Sequence, residues 1–299
     1  MRVVDYILID GNNLAFRSFY GVKDLSNGQN VPVNAIYGFF NSLFTLQQQF
    51  PAKKTIVCFD CSRSKKRVQL LPDYKENRLP TPDAFKTQLN YIKQMIPLLG
   101  HFCWEKQGVE ADDLIGSWCH WASMQKRTCL VVSADKDLMQ CVNDYVNQVI
   151  PTAQGWNLID RSGVFEKMGI YPEQLIDFLS LIGDKVDNYP GIAGVGPKTA
   201  AKWLNTYGSI DKIYENIHVL MPKRFQTVLL NNVTLLKKNQ QLAALEISND
   251  YVEAIMIDLE ATQPQYETFA KMLEQLHLPR LFQKFKSYFH ASSQQIELF

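Results

Sequence analysis

The sequence predicts an α/β protein organised on a parallel sheet, and two observations carry that class. Short apolar, β-rich runs at residues 3–9, 55–59 and 129–134 each stop at an aspartate: Asp10, Asp60 and Asp135, with Asp137 two residues on. Amphipathic patterns of helical period at residues 34–49, 82–99 and 111–125 separate them. Strands alternating with helices imply parallel neighbours, because parallel strands need a crossover connection. In such sheets ligands bind beyond the carboxyl ends of the strands. One aspartate at a strand end is an ordinary turn or cap residue. Three strand ends that agree mark a common edge.

The next segments bring more acids to that edge. After a short run at residues 101–104, the stretch GVEADDLIGSWCHW opens a helix whose Leu114, Ile115, Trp118, Trp121 and Ala122 recur at core-facing spacing. Glu110, Asp112 and Asp113 crowd its first turn, where the helix dipole favours each acid by only a few tenths of a kcal/mol. A helix predicted at residues 172–182 leads into LIGDKVDNYPG, which spaces Asp184 and Asp187 across one turn. Nine carboxylates thus converge, and at separations of ~4–8 Å their repulsion reaches several kcal/mol even at an effective dielectric near 20. Bound cations make such a cluster tolerable. Oxygen ligands without histidine or thiolate point to magnesium or manganese, and many acids for few ions suggest two metals.

With 299 residues and 46% hydrophobic content, the chain can bury one large core or two modest ones. No apolar run approaches the ~18 residues of a membrane span, and MRVVDYILIDG meets an acid too early for a signal peptide, so a cytoplasmic location is expected. The six cysteines read as reduced and structural. Cys58 and Cys61 form one CxxC without the second pair or histidines that a zinc finger needs.

Lys and Arg number 31 and Asp and Glu 30; setting the nine clustered acids aside leaves 21, so the remaining surface carries about ten excess positive charges. That contrast suits a polyanion such as DNA. Arg63, Lys65, Lys66, Arg67, Lys75 and Arg78 follow Asp60 in CSRSKKRVQLLPDYKENR, with Tyr74 among them, and would wall the site for phosphates. Alone, such a run is more often a solvated face. Tyr74 either stacks on an unpaired base or packs inside this segment. Farther on, GIAGVGPKTAAKWL resembles a Walker A loop, but Pro197 separates Gly196 from Lys198 and Thr199 and no strand directly precedes it. A helical hairpin fits better: Gly194 and Gly196 make a tight turn, Pro197 suits the first helical turn, and backbone N–H groups with Lys198 and Thr199 grip a phosphate without reading bases.

Together, LIDGNNLAFRSFYG, CFDCSRSKKR, LPDYKENR, GVEADDLIG, VVSADKDLMQ and LIGDKVDNYPGIAGVGPKTAAKWL resemble the 5′ nuclease family, the flap endonucleases and the 5′→3′ exonuclease domain of bacterial DNA polymerase I. The likeness covers roughly residues 3–290 in the family's order and is to the free-standing form, since no polymerase module follows. It implies a PIN-like nuclease core at residues 1–187 with a helical arch at about 61–99, a helix–two-turn–helix and C-terminal helical region at 188–290, and a flexible tail at 291–299.

The resemblance also implies roles. Asp10, Asp60, Glu110, Asp112, Asp113, Asp135, Asp137, Asp184 and Asp187 bind divalent metals directly or through water, Lys75 and Arg78 contact the scissile phosphate with Arg17 assisting, and the turn within residues 191–204 holds a potassium ion against a duplex phosphate. The tail ends in Gln295, Ile296, Glu297, Leu298 and Phe299, which is similar to the pentapeptide by which bacterial replication proteins dock on the sliding clamp. The expected function is a metal-dependent 5′→3′ exonuclease and structure-specific flap endonuclease of replication or repair. A DNA-binding scaffold without cleavage, tethered to the clamp, is the alternative, and a ribonuclease with a similar acidic edge is third.

Overall fold

The computed structural model describes residues 3–23, 25–28, 31–152 and 155–296, with the backbone alone from residue 290. Among these residues the central sheet has six strands, β1 (Val4–Asp10), β2 (Ala52–Phe59), β3 (Phe102–Glu105), β4 (Cys129–Val132), β5 (Val146–Thr152) and β6 (Gly155–Ile159), in the order β3-β2-β1-β4-β5-β6. Neighbours run parallel as far as β5, and β6 closes the edge as an antiparallel hairpin. The order reverses between β1 and β4, which is where a doubly wound sheet opens a crevice.

Burial on both faces explains the near-continuous apolar strands. Ile7, Ile9, Val57, Phe59, Leu130 and Val132 pack with α1 (Gly11–Gly21), α2 (Asn34–Gln49) and the helices Tyr266–Gln275 and Pro279–Ile296 on one side. Alternate residues Leu8, Ile56, Cys58 and Val131 face the other side, where Leu114, Ile115 and Trp118 meet them. Those three lie on α5 (Ala111–Met124), which follows α3 (Lys65–Leu70) and α4 (Asp83–Met95). Each fully buried large aliphatic contributes roughly 1.5–3 kcal/mol of transfer free energy. Beyond the sheet come α6 (Arg161–Met168), α7 (Leu175–Ile182) and α8 (Pro197–Tyr207), which share a separate helical core with Trp203, Leu229 and Leu236.

The predicted helices fall within a few residues of α2, α4, α5 and α7, and the run at 101–104 becomes β3. The sequence pattern does not announce β5 and β6, because Asn147, Gln148 and Pro151 interrupt any apolar alternation. The expected arch is α3, a series of turns at residues 72–77, and α4. The expected tail at 291–299 falls partly on the last helix, drawn to Ile296; Leu298 and Phe299, with the side chains of Gln295 and Ile296, lie outside the described residues.

His101, beside the start of β3, approaches Gln47 Nε2 through its own Nε2 at 2.8 Å. Burial depresses its pKa from 6.5 to about 4. A depressed histidine contributes stability that is fully present above 6.5 and lost as pH falls toward 4, because the unfolded chain binds the proton first. Urea unfolding is therefore expected to lose at most about 3 kcal/mol on this account between those limits. The variant His101→Gln should flatten that slope.

Candidate active site

Asp10 ends β1 and caps α1, accepting from Asn13 N at 2.9 Å and from Ser133 Oγ at 2.9 Å. Asp60 follows β2 and accepts from Ala111 N at 2.8 Å, which ties that strand end to the start of α5. Asp112 lies in the first turn of α5, and Asp135 and Asp137 follow β4, where Asp135 Oδ1 accepts from Asp137 N at 2.9 Å. Burial first, then the charges of Asp60 and Asp135, push Asp10 up to about 7. Burial and Asp135 raise Asp137 to about 7, and burial with Asp135 and Asp10 drives Asp112 well above the carboxylate range. Burial is the main cause of these shifts, and the like charges of the neighbouring acids add to it.

The second acidic pair arrives on a tight hairpin, β7 (Gly183–Asp184) with β8 (Tyr189–Pro190). Gly183 and Gly191 face each other so closely that a Cβ on Gly183 would meet Gly191 N at 2.2 Å. Only glycine permits this approach, which turns Asp184 toward the strand ends. Asp184 Oδ1 accepts from Val186 N at 2.7 Å and Oδ2 from Lys136 Nζ at 2.5 Å. Although burial works against its charge, the Lys136 contact holds Asp184 below the ordinary carboxylate range. Asp187 accepts from Tyr74 OH at 3.1 Å and Arg78 at 3.1 Å.

The turns between α3 and α4 fold over this edge, with Lys75 N donating to Asp187 O at 3.3 Å. Lys75 Nζ reaches Glu110 Oε1 at 2.8 Å, and Arg67 reaches Glu110 Oε2 at 2.7 Å. Burial alone would raise Glu110, but these two cations outweigh it and hold the carboxyl low. The result is a cleft of about 270 Å³ lined by Lys75, Arg78, Asp112, Asp135, Lys136, Asp137, Asp184, Val186 and Asp187, with Asp10 and Asp60 close enough to perturb Asp112. Two hollows of about 430 and 480 Å³ lie elsewhere and gather no more than one lining carboxylate each.

Three expected roles are corrected, those of Asp113, Arg67 and the buried Glu110, whose two oxygens are taken by Lys75 and Arg67, and the open reading of Tyr74 is decided. Asp113 is not turned to the cleft: both its oxygens are held by Arg67, at 2.7 and 2.9 Å, and Oδ1 also accepts from Glu246 N. Arg67 is 5% exposed and spends its donors on Glu110, Asp113, Leu242 O and Ala244 O, so it offers none to DNA. Tyr74 is 2% exposed and packs with the helical core instead of presenting its ring to a base. Its phenol, raised far up by burial and Glu110, stays a donor.

Arg63, Lys65 and Lys66 are exposed near the arch, with Arg63 donating to Tyr74 O at 3.2 Å. Arg17, expected to assist Lys75 and Arg78, is not among the residues lining the acidic cleft; it is exposed and lines a different groove, with Tyr20 and Asn41 between α1 and α2. In the hairpin, Gly196 caps α8, Pro197 is its first residue, Gly194 adopts φ +79°, and Lys198 is exposed while Thr199 is half-buried.

The sequence reading passes over Lys136 and Gln148. Lys136 is signalled by its place between Asp135 and Asp137. Gln148 is buried in β5 and holds Ser133 O and Asp135 O at 2.8 and 2.7 Å, a role no local pattern reveals.

The donor set suits a hard cation: carboxylate oxygens alone, in excess over the facing cations, with Asp137 Oδ1 buried and lacking a hydrogen-bond partner among the described residues. Among those residues no three His, Cys, Asp or Glu side chains stand in closed metal-cage geometry; several acids contact Lys75, Arg78 and Lys136 instead. No described helix is long and apolar enough to cross a membrane.

A sheet edge of converging aspartates under a basic turn defines a nuclease. The chain belongs to the 5′-3′ exonuclease family: residues 5–169 match that family's N-terminal resolvase-like domain and residues 170–268 its C-terminal SAM fold. It is 33% identical to the 5′-3′ exonuclease of Aquifex aeolicus, over 96% of this chain and 97% of that one. It is 32% identical to the thermostable DNA polymerase I of Thermus thermophilus over 93% of this chain, which spans 33% of that longer protein. The fold is similar to T5 5′-exonuclease with bound zinc (TM-score 0.69, 22% identity, 91% of this chain and 99% of that one). It is also similar to the catalytic core of Rad2 in complex with DNA (TM-score 0.61, 14% identity, 96% and 92%).

Proposed function

We propose that the chain is a metal-dependent 5′→3′ exonuclease and structure-specific 5′-flap endonuclease acting on DNA in replication or repair. The observation that carries this reading is the gathering of Asp10, Asp60, Asp112, Asp135, Asp137, Asp184 and Asp187 beneath Lys75 and Arg78. T5 exonuclease with metal ions and DNA and Rad2 with DNA support the same substrate.

Those seven carboxylates would hold two Mg²⁺ or Mn²⁺ ions, with Glu110 acting through Lys75. The ions would supply Lewis acidity and a hydroxide for in-line displacement of a 3′ oxygen, leaving 5′-phosphate and 3′-hydroxyl ends. Lys75 and Arg78 place donors where charge grows on the phosphate. Arg63, Lys65 and Lys66 guide a single-stranded 5′ end. The turn at Gly194 and Gly196, with Lys198 and Thr199, takes a duplex phosphate and a potassium ion. Residues 1–187, 188–290 and 291–299 would divide as core, duplex-gripping region and tail, and Gln295, Ile296, Leu298 and Phe299 would dock on the sliding clamp.

A substrate panel tests the reading. With Mg²⁺, a 5′-flap duplex and a nicked duplex should be cut near the junction or 5′ end, and a matched all-RNA duplex should not. Binding of the flap without cleavage would favour a DNA-binding scaffold. Metal is testable apart from activity: if the ion binds with a dissociation constant near a tenth of the added Mg²⁺, it stabilises by about 1.4 kcal/mol. Calorimetry should then show Tm rising by about 2–5 °C in Mg²⁺ over EDTA, and no rise would count against a metal cleft.

A further inference from the structure

We propose that Arg67 is a positioning residue that clasps the acidic end of α5 to the C-terminal helical region, so that the cleft and the duplex-gripping part hold one geometry. Arg67 projects from the short helix between Asp60 and Lys75. Its Nη1 donates to Glu110 Oε2 at 2.7 Å and Asp113 Oδ2 at 2.9 Å, and its Nη2 to Asp113 Oδ1 at 2.7 Å. Nε donates to Leu242 O at 3.2 Å and Nη2 to Ala244 O at 3.0 Å, carbonyls in the last turn and at the C-cap of the helix Val233–Ala243. Asp113 Oδ1 completes the ring by accepting from Glu246 N at 2.8 Å.

One planar guanidinium therefore joins three segments distant in sequence, and its fixed fork matches a carboxylate as an ammonium cannot. The geometry acts on catalysis through Glu110. Glu110 is the anchor of Lys75, which lines the cleft together with Asp112 and Asp135. Were Arg67 absent, Glu110 would keep Lys75 on Oε1 but lose the shorter, charged contact on Oε2, leaving there only the 3.2 Å hydrogen bond from Tyr74 OH, and Lys75 would gain freedom. Helix Val233–Ala243 also packs on α7, which leads into Asp184, so the clasp reaches the second acidic pair as well. This inference rests on the nuclease reading above for its kinetic part alone.

The test uses the full chain with Arg67→Met, Arg67→Lys and Arg67→Ala. Cleavage of a 5′-flap duplex in Mg²⁺ should show kcat lower by at least ~100-fold in Arg67→Met with KM within about threefold. Arg67→Lys should recover only part of the loss. Added guanidinium should raise kcat of Arg67→Ala, while urea, neutral and of similar shape, should not. Without DNA or metal, amide exchange at residues 242–246 should quicken at least ~10-fold in Arg67→Met, ahead of the sheet strands. A kcat within threefold of the parent, or full recovery with lysine, would overturn the proposal, as would exchange that quickens uniformly. If the parent chain cut no substrate, the nuclease reading would fall while the exchange result still decided the clasp.

Discussion

Replacing Asp112 by asparagine is expected to reduce flap cleavage by at least ~10³-fold while leaving the metal-free protein as stable as before or up to about 1 kcal/mol more stable. The two effects oppose because of what surrounds the side chain. Burial, Asp135 and Asp10 drive the Asp112 carboxyl well above its ordinary range. Its ionised form is therefore a burden on the fold that a neutral amide of equal size relieves. Among the described residues no hydrogen-bond donor is paired to Asp112, so asparagine orphans no donor, and its own N–H groups meet the neighbouring carboxylates of Asp10, Asp60 and Asp135 as acceptors. The same charge is what a divalent cation would use. Single-turnover cleavage and urea unfolding in EDTA, run on one preparation, check both signs. A variant that lost activity and stability together would place Asp112 in the architecture.

Lys75→Met should lower kcat by ~10²–10³-fold, the range seen when one well-aimed donor to a developing charge is removed. The methionine keeps the apolar stem, and Lys75 already adopts φ 57°, so no new backbone strain arises. Stability should fall by about 1–3 kcal/mol, because a buried partner of Glu110 disappears. The loss is less than a fully orphaned charge would cost, since Arg67 and Tyr74 still hold Glu110. Flap binding in EDTA, followed by fluorescence anisotropy, should change less than kcat does. A purely structural lysine would instead show a large stability loss with kcat little altered.

The acids of the strand ends were legible because strand period and chain order together dictate where Asp10, Asp60 and Asp135 emerge. Asp112 and Asp113 show where such reasoning stops. Adjacent helical residues point about 100° apart, so one enters the cleft and the other turns to Arg67, and spacing alone does not say which. The basic run is similar: Lys75 and Arg78 reach the acids, but Arg67 lies on the inward side of α3, where a solvent-facing reading of charge fails. Tyr74 offered two readings, and burial against the helical core decides between them. Gln148 and Lys136 act through carbonyls and carboxylates brought near by the fold, and no periodicity encodes such contacts.

The most direct measurement incubates the full chain with a 5′-labelled flap duplex in Mg²⁺, in EDTA, and as Asp112→Asn in Mg²⁺. The seven-carboxylate cleft predicts a product near the flap junction in the first lane and none in the other two. Cleavage that persists in EDTA, or that Asp112→Asn leaves intact, would contradict it.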